Sequence, residues 1–126
     1  MQIEYISTPD APEAIGPYSQ GVKAHGFVYT SGQIALDPAT GKLVEGGFED
    51  QVHRVFKNLG AILRAGGTDF NRVLKATVYV TDLENFKALN TIYASYFGDH
   101  KPARTTVEVP ELPKEADVEI DLIALV

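Results

Sequence analysis

Two residues of opposite charge, Arg104 and Glu119, have the side-chain types that recognition and acid–base chemistry on a small molecule require. A guanidinium group binds a carboxylate through two parallel hydrogen bonds, and a carboxylate side chain can hold or deprotonate a water molecule. The same residue types also form solvated ion pairs on protein surfaces, and such pairs add little stability. From type alone, the pair is either a surface ion pair or the two halves of a site.

Both residues lie on predicted β-strands, because polar and apolar side chains alternate around them. One face of residues 103–109 carries Arg104, Thr106 and Glu108. One face of residues 117–126 begins with Asp117, Glu119 and Asp121. The segment 110–116 contains two prolines, which lack a backbone donor, so it reads as a loop. If the two strands pair antiparallel, or flank a common neighbour, Arg104 and Glu119 can project from the same face of one sheet.

The rest of the chain predicts a single α+β domain spanning residues 1–126. Apolar residues at helical spacing predict helices, and alternating or β-branched runs predict strands. The expected helices cover residues 48–65 and 85–97, with Asp82 as the natural N-cap before the second. The expected order is β-β-β-α-β-α-β-β, with further strands over residues 3–7, 20–24, 27–34 and 73–80. On the fourth strand, Leu74, Ala76, Val78 and Val80 are expected to form the apolar face.

Three other residues are candidates for the site. Tyr18 follows a Gly-Pro turn in a proline-rich loop, where an aromatic ring serves either as a packing plug or as a lid over a pocket. Ser31 and Gly32 lie near the end of the predicted strand 27–34. A glycine inside a strand marks either close approach of a ligand or backbone, or a β-bulge, and the pattern leaves both open.

Two helices cover only one face of such a sheet, and the other face mixes polar side chains with aromatic and aliphatic ones. This face is too polar for the core of a monomer and too apolar for a fully wet surface, so the sequence predicts a homo-oligomer with sites near subunit boundaries. Its expected members are Tyr29, Ser31, Gln33, Lys75, Thr77, Tyr79, Arg104, Thr106, Glu108, Glu119, Asp121, Ile123 and Leu125.

Composition excludes several classes of function. The chain has 126 residues, a formal net charge of −6 and scattered basic residues, which argues against nonspecific nucleic-acid binding. It has no cysteine, so thiolate catalysis and thiolate metal sites are ruled out, and a cytoplasmic location is expected. The three histidines share no metal-ligand spacing, so no metal is expected. The first residues lack the basic and apolar regions typical of a signal peptide, and no apolar run approaches membrane-spanning length, so no membrane association is expected.

Short motifs along nearly the whole chain resemble the RidA (YjgF/YER057c/UK114) family, the reactive-intermediate imine deaminases. The resemblance is carried by the segments 14–20, 30–34, 75–80, 82–83, 102–104, 107–109, 112–114 and 118–120, together with Asn90. Each motif is short, but together they occur in order without large gaps. The combination is therefore specific.

The resemblance implies a chorismate-mutase-like α+β fold and a homotrimer. Its three sheets would form a central barrel, with a site in each inter-subunit cleft. It also implies hydrolysis of 2-imino acids, such as 2-iminobutanoate and 2-iminopropanoate, to 2-oxo acids and ammonia. Such imines arise from enamines released by pyridoxal-phosphate enzymes, including threonine dehydratase. The protein itself would need no cofactor.

In that setting Arg104 is expected to bind the substrate carboxylate and Glu119 to position or activate water. Tyr18, Ser31, Gly32 and Thr106 are expected to bind substrate, with the backbone groups of the last three supplying hydrogen bonds. Many relatives have a cysteine where this chain has Thr106, so a mechanism that needs a thiol there is excluded by composition. A role for the backbone of that residue survives.

Two other functions fit the same residues. A sensor or carrier of small 2-oxo or amino acids would use the Arg104 pocket without turnover. An RNA-acting or chaperone-like function is also reported in general terms for relatives, and the acidic balance of the chain argues against strong RNA binding.

Overall fold

Six β-strands form one sheet in the computed structural model, which describes residues 2–126. In chain order they are β1 Glu4–Ile6, β2 Gly21–Ala24, β3 Phe27–Thr30, β4 Val73–Val80, β5 Ala103–Glu108 and β6 Val118–Leu125. Their order across the sheet is β1-β2-β3-β6-β4-β5. Every pairing is antiparallel except that of β4 with β5. The predicted α+β architecture and element order are therefore confirmed.

The two α-helices begin and end close to the predicted residues: α1 spans Phe48–Ala65 and α2 spans Phe86–Phe97. At the start of α1 the Gly47 N–H donates to Asp50 Oδ2 at 3.2 Å. A short 3₁₀ turn precedes α2, and there the Asp82 side chain accepts from Glu84 N at 2.9 Å. The predicted cap at Asp82 is therefore present, but it caps this turn rather than α2 itself.

Both helices pack on the same face of the sheet, as the sequence predicts. Phe56 of α1 stacks on Tyr96 of α2 with ring centroids 4.6 Å apart, and Phe97 meets Phe56 edge-on at 5.9 Å. Beneath these rings lie the inward side chains of the central strands, which are Ala76, Val78, Val80, Val118, Ile120 and Leu122. The rigid central strands β4 and β6 carry or flank the candidate residues.

The apolar face of β4 differs from the prediction at its first residue. Val73 pairs with Ala124 and Lys75 with Ile123, so Leu74 is an extra residue in a β-bulge. The bulge turns Val73 into the core and leaves Leu74 41% exposed. The prediction extended the alternation of Ala76, Val78 and Val80 back to residue 74, and such an extension cannot show an inserted residue.

The orientation of β5 also differs from the prediction. Its parallel register sets Arg104 beside Ala76, Thr106 beside Val78 and Glu108 beside Val80, on the helix-covered face. The alternate side chains of β5 therefore point to the face of the sheet that no helix covers, and Ala103 and Thr105 are exposed there. This orientation is tolerated because β5 is an edge strand, where the helix layer is incomplete and a polar side chain still reaches water.

Within residues 2–126, no helix is long and apolar enough to cross a membrane.

Candidate functional site

The carboxylate of Glu119 lies against the backbone of Gly32. Glu119 projects from the open face of β6, next to Tyr79 of β4. A Cβ added to residue 32 would lie 3.0 Å from Glu119 Cδ and closer still to its Oε2. The sequence left close approach and a bulge as alternatives for this glycine, and the structure shows both.

The bulge is visible in the pairing of β3 with β6. Tyr29 pairs with Ile123, but Gln33 pairs with Ile120. The three residues 30–32 therefore lie opposite only two residues, 121 and 122, of β6. The extra residue ends β3 at Thr30, earlier than the predicted end at residue 34. It also aims the Gly32 backbone at the Glu119 side chain, as bulges beside functional sites commonly do.

The pKa of Glu119 is raised, first by burial and then by the nearby negative charge of Asp121. Burial also raises the pKa of Asp121, which follows Glu119 on the same face of β6. Both effects disfavour the charged form of a carboxylate. Glu119 is therefore a stronger base than a solvent-exposed glutamate, which suits a group that takes a proton from water near neutral pH.

Glu119, Gly32 and Tyr18 line one cavity of about 270 Å³. Its other lining residues come from the loop before β2, from the segment after Gly32 and from the turn at Pro113 and Lys114. Tyr18 is 55% exposed, so it does not act as a packing plug within this chain. The structure thus brings together three of the predicted site residues.

The loop that carries Tyr18 is held by Gln20, a residue that the sequence did not single out. The Gln20 side chain is 5% exposed. Its Oε1 accepts from Thr8 N at 2.7 Å, and its Nε2 donates to the carbonyls of Thr8, Ala11 and Pro12 at 3.0, 3.2 and 2.8 Å. This glutamine fastens a loop that has no regular secondary structure of its own.

Ser31 supports the same loop rather than the cavity. Its hydroxyl donates to Ser19 O at 2.5 Å, and its backbone N–H donates to Gln20 O at 2.9 Å. The backbone N–H of Ser31, which was predicted to serve the substrate, is thus engaged within the chain, and so is its hydroxyl. Ser31 lies outside the residues that line the Glu119 cavity.

Arg104 lies on the opposite face of the sheet, against α2. Its guanidinium carbon is 4.8 Å from the centroid of the Tyr93 ring and 5.4 Å from that of Phe86. Cation–π contacts with two rings hold the planar group in a defined orientation. Thr106 lies two residues further along the same side of β5, and its Oγ1 is buried without a hydrogen-bond partner.

The predicted common face of Arg104 and Glu119 is therefore wrong within one chain. The two strands do flank a common neighbour, β4, but Arg104 is in register with Ala76 and Glu119 with Tyr79. Residues 76 and 79 point to opposite sides of that strand. Neither an ion pair nor a shared pocket between Arg104 and Glu119 can therefore form across the sheet of one protomer.

Other polar residues on or next to the strands of the sheet have partners within the chain. Lys75 Nζ donates to Thr105 Oγ1 at 2.7 Å on the open face. Glu108 Oε1 accepts from Leu83 N at 2.9 Å, on the helix side. Gln51 and Asp117 exchange two hydrogen bonds of 3.0 and 2.8 Å and fix the start of β6. These contacts position the strands of the site and are structural.

Comparison with known proteins gives a consistent result. The Endoribonuclease L-PSP family profile matches residues 8–126. A Mus musculus protein named 2-iminobutanoate/2-iminopropanoate deaminase is 48% identical over 120 residues, which cover 95% of this chain and 89% of that protein.

Two solved structures show the same fold. The crystal structure of RidA from an Antarctic Psychrobacter species is 43% identical with a TM-score of 0.94, covering 98% of this chain and 99% of the other. The structure of E. coli TdcF with bound serine is 40% identical with a TM-score of 0.92, covering 98% of both chains. The chain therefore belongs to the RidA family, whose profile bears the description Endoribonuclease L-PSP.

Proposed function

We propose that this protein hydrolyses small 2-imino acids, such as 2-iminobutanoate and 2-iminopropanoate, to 2-oxo acids and ammonia. The observation that carries this proposal is the Glu119 carboxylate, which lies against Gly32 in a cavity and whose pKa is raised by burial and by the charge of Asp121. A basic carboxylate in a small cavity suits activation of one water molecule. Relatives named as deaminases of these imines support the choice of substrate.

Arg104 binds the carboxylate that every 2-imino acid carries beside its C=N carbon. The cradle of Phe86 and Tyr93 presents the guanidinium fork in one orientation and shields it from water on two sides. A carboxylate bound in this way fixes the position of C2. The protonated imine is intrinsically electrophilic, so this positioning supplies much of the rate.

The reaction balances without a cofactor. Glu119 accepts a proton from water while the oxygen forms a bond to C2, and the π electrons of the C=N bond move to nitrogen. The protonated Glu119 then returns the proton to that nitrogen. Collapse of the carbinolamine then forms the C=O bond and breaks the C–N bond. Glu119, again a carboxylate, takes the hydroxyl proton and passes it to the departing ammonia, which leaves as ammonium. Tyr18, on the clamped loop, covers the cavity and limits exchange with bulk water.

The complete site requires two protomers, because Arg104 and Glu119 lie on opposite faces of one sheet. We place Arg104 and Thr106 of one protomer opposite Glu119, Gly32 and Tyr18 of the next, in a homotrimer with a site in each cleft. The open face supports such an assembly. It exposes Tyr29 by 43%, Val107 by 37% and Leu125 by 37%, beside half-buried polar side chains.

A second candidate is a sensor or carrier of small 2-oxo or amino acids. It is favoured by the solved structure of a relative, TdcF, with serine bound. The same guanidinium would bind the carboxylate of such a ligand, and Glu119 would not handle water. The two functions differ in turnover: a deaminase consumes the imine, whereas a sensor or carrier only binds its ligand.

The test is a coupled assay in which a threonine dehydratase or an amino-acid oxidase generates the imine in situ. Its decay is followed with wild type and with Arg104→Ala, after light scattering has shown the same oligomeric size for both. We expect faster decay with wild type only. Acceleration by both proteins would remove Arg104 from the site, and none by wild type on any small imine would support the sensor or carrier.

A further inference from the structure

Three buried polar atoms lack a hydrogen-bond partner within residues 2–126, and all three lie between α2 and β5. They are Asn90 Oδ1, Tyr93 OH and Thr106 Oγ1. Leaving a buried polar group unpaired costs about 1–3 kcal/mol. No other fully buried side-chain polar atom of residues 2–126 is unpaired, so three such groups on two neighbouring elements point to a place that a polar ligand completes.

The three groups belong to the helix face and the strand that hold Arg104. Phe86, Asn90 and Tyr93 recur at the spacing of one helix face, and the first and last of them contact Arg104. Asn90 lies between those two residues, so it faces the same part of β5. Thr106 is two residues beyond Arg104 and projects from the same side of that strand. The unpaired atoms therefore adjoin the proposed carboxylate anchor.

Arg104 stacks over the ring of Tyr93, one of the three residues that carry the unpaired atoms. The side chains of Asn90, Tyr93, Arg104 and Thr106 are all only half-buried, so the layer that covers the polar atoms is thin. A ligand carboxylate bound to this guanidinium therefore lies next to Tyr93, with Asn90 on the same helix face and Thr106 on the same side of β5.

The chemistry of the three atoms differs. The hydroxyls of Tyr93 and Thr106 can donate or accept, so they serve an oxygen or a nitrogen equally well. The amide oxygen of Asn90 can only accept, so it needs a ligand that donates. In a 2-imino or 2-amino acid the nitrogen is two bonds from the carboxylate carbon and carries hydrogen. In a 2-oxo acid the corresponding atom is an acceptor.

We propose that Asn90, supported by Tyr93 and Thr106, forms a subsite that accepts a hydrogen bond from the nitrogen at C2 of the ligand. The subsite distinguishes 2-imino and 2-amino acids from 2-oxo acids. It favours the substrate over the product, because the oxo group offers no hydrogen to Asn90 Oδ1. This inference rests on the proposed role of Arg104 as carboxylate anchor, but not on turnover.

The test is equilibrium titration calorimetry at neutral pH with two stable probes, 2-aminobutanoate and 2-oxobutanoate. The proteins are wild type, Asn90→Leu and Asn90→Asp, each checked for oligomeric size. Loss of the acceptor in Asn90→Leu is expected to weaken the binding of 2-aminobutanoate roughly tenfold or more. The binding of 2-oxobutanoate is expected to weaken by no more than about twofold. Asn90→Asp keeps an acceptor and adds negative charge, so it is expected to shift the amino-to-oxo affinity ratio in the opposite direction.

Asn71→Asp is the matched control, since it makes the same change of charge at an exposed residue outside the site. We expect it to leave the affinity ratio as in wild type. A merely structural Asn90 would alter both affinities together, and that result would overturn the proposal. So would a wild type that binds 2-oxobutanoate but not 2-aminobutanoate, or one that binds neither. If Asn90→Leu does not fold, the near-isosteric Asn90→Asp decides alone.

A wild type that shows these binding ratios but fails the imine assay would overturn the deaminase function and leave the subsite standing.

Discussion

The carboxylate of Glu119 occupies the space that a side chain on residue 32 would take. A Cβ there would lie 3.0 Å from Glu119 Cδ, and closer to Oε2. The φ of Gly32 lies outside the left-handed region, so the glycine is required for space rather than for backbone conformation. Gly32 thus sets where the proposed base sits in its cavity.

Gly32→Ala is therefore expected to fold and to lose activity. The added methyl group must displace the Glu119 carboxylate, and a displacement of about 1 Å can lower a rate on the order of a hundredfold. Imine decay in the coupled assay measures the rate, and thermal unfolding reports the fold. Gly47→Ala is the matched control, because a Cβ at Gly47 meets nothing within 4 Å. Full activity in Gly32→Ala would show that the carboxylate position does not matter.

Glu119→Gln is expected to lower kcat by roughly 10²–10⁴-fold, the usual contribution of a positioned general base. Binding of 2-oxobutanoate is expected to change little, since Arg104 remains.

The pKa of Glu119 is raised by burial and by Asp121, so the acid limb of the wild-type kcat/KM profile is expected above the ordinary carboxyl pKa of about 4.3. Asp121→Asn removes the nearby charge, so it is expected to move that limb to lower pH. A wild-type acid limb at the ordinary carboxyl pKa would exclude Glu119, with its raised pKa, as the titrating base.

The same shifts predict how stability depends on pH. Both Glu119 and Asp121 have folded-state pKa values raised by burial, so the folded state binds their protons more tightly than the unfolded state does. The contribution of each group to stability is fully present below its unfolded pKa and is lost as pH rises through its folded pKa.

Wild type is therefore expected to gain stability relative to a Glu119→Gln, Asp121→Asn double variant as pH falls from neutral toward about 5. Thermal unfolding at constant ionic strength and protein concentration measures the difference in Tm. A difference that is constant across this range, or that grows as pH rises, would contradict the raised pKa values.

The sequence could predict the helices, the central strands and the residue types of the site, because these follow from local periodicity. Alternation cannot show which way an edge strand faces, since its two sides differ little in burial. Arg104 therefore appeared to share a face with Glu119, and only the parallel register of β5 with β4 separates them. The bulge at Leu74 was hidden for a related reason, because one extra residue leaves the apolar run unbroken.

Gln20 was also missed by sequence reasoning. Its four hydrogen bonds reach residues 8–12, and nothing in a local pattern marks a glutamine that pairs with backbone so far away. Two signals were available: Gln20 is the last residue of the motif 14–20, and it directly follows a loop with three prolines, a loop that needs an external anchor. Tertiary hydrogen bonds of this kind become visible only once the chain is folded.

Gln20→Leu is expected to loosen the loop that carries Tyr18. Four backbone groups lose their partner, and each buried unpaired group costs about 1–3 kcal/mol unless the loop opens to water. We expect faster proteolysis within residues 8–19, a higher KM and a lower Tm. Tyr18→Phe is the comparison variant, because it keeps the aromatic ring and the hydrogen bonds of the Gln20 side chain to the loop. Equal proteolysis rates in Gln20→Leu and wild type would show that the loop is held by other contacts.

A site built from two protomers predicts that two inactive variants restore each other. In a mixed oligomer of Arg104→Ala and Glu119→Gln, some clefts combine the intact Arg104 of one protomer with the intact Glu119 of its neighbour. Random mixing at equal amounts gives such a cleft in about a quarter of the sites of a cyclic assembly. Co-refolding the two variants is therefore expected to recover about that share of wild-type activity. Each variant refolded alone should stay inactive. Absence of recovery in verified mixed oligomers would place both residues in one chain's site, against the geometry of the sheet.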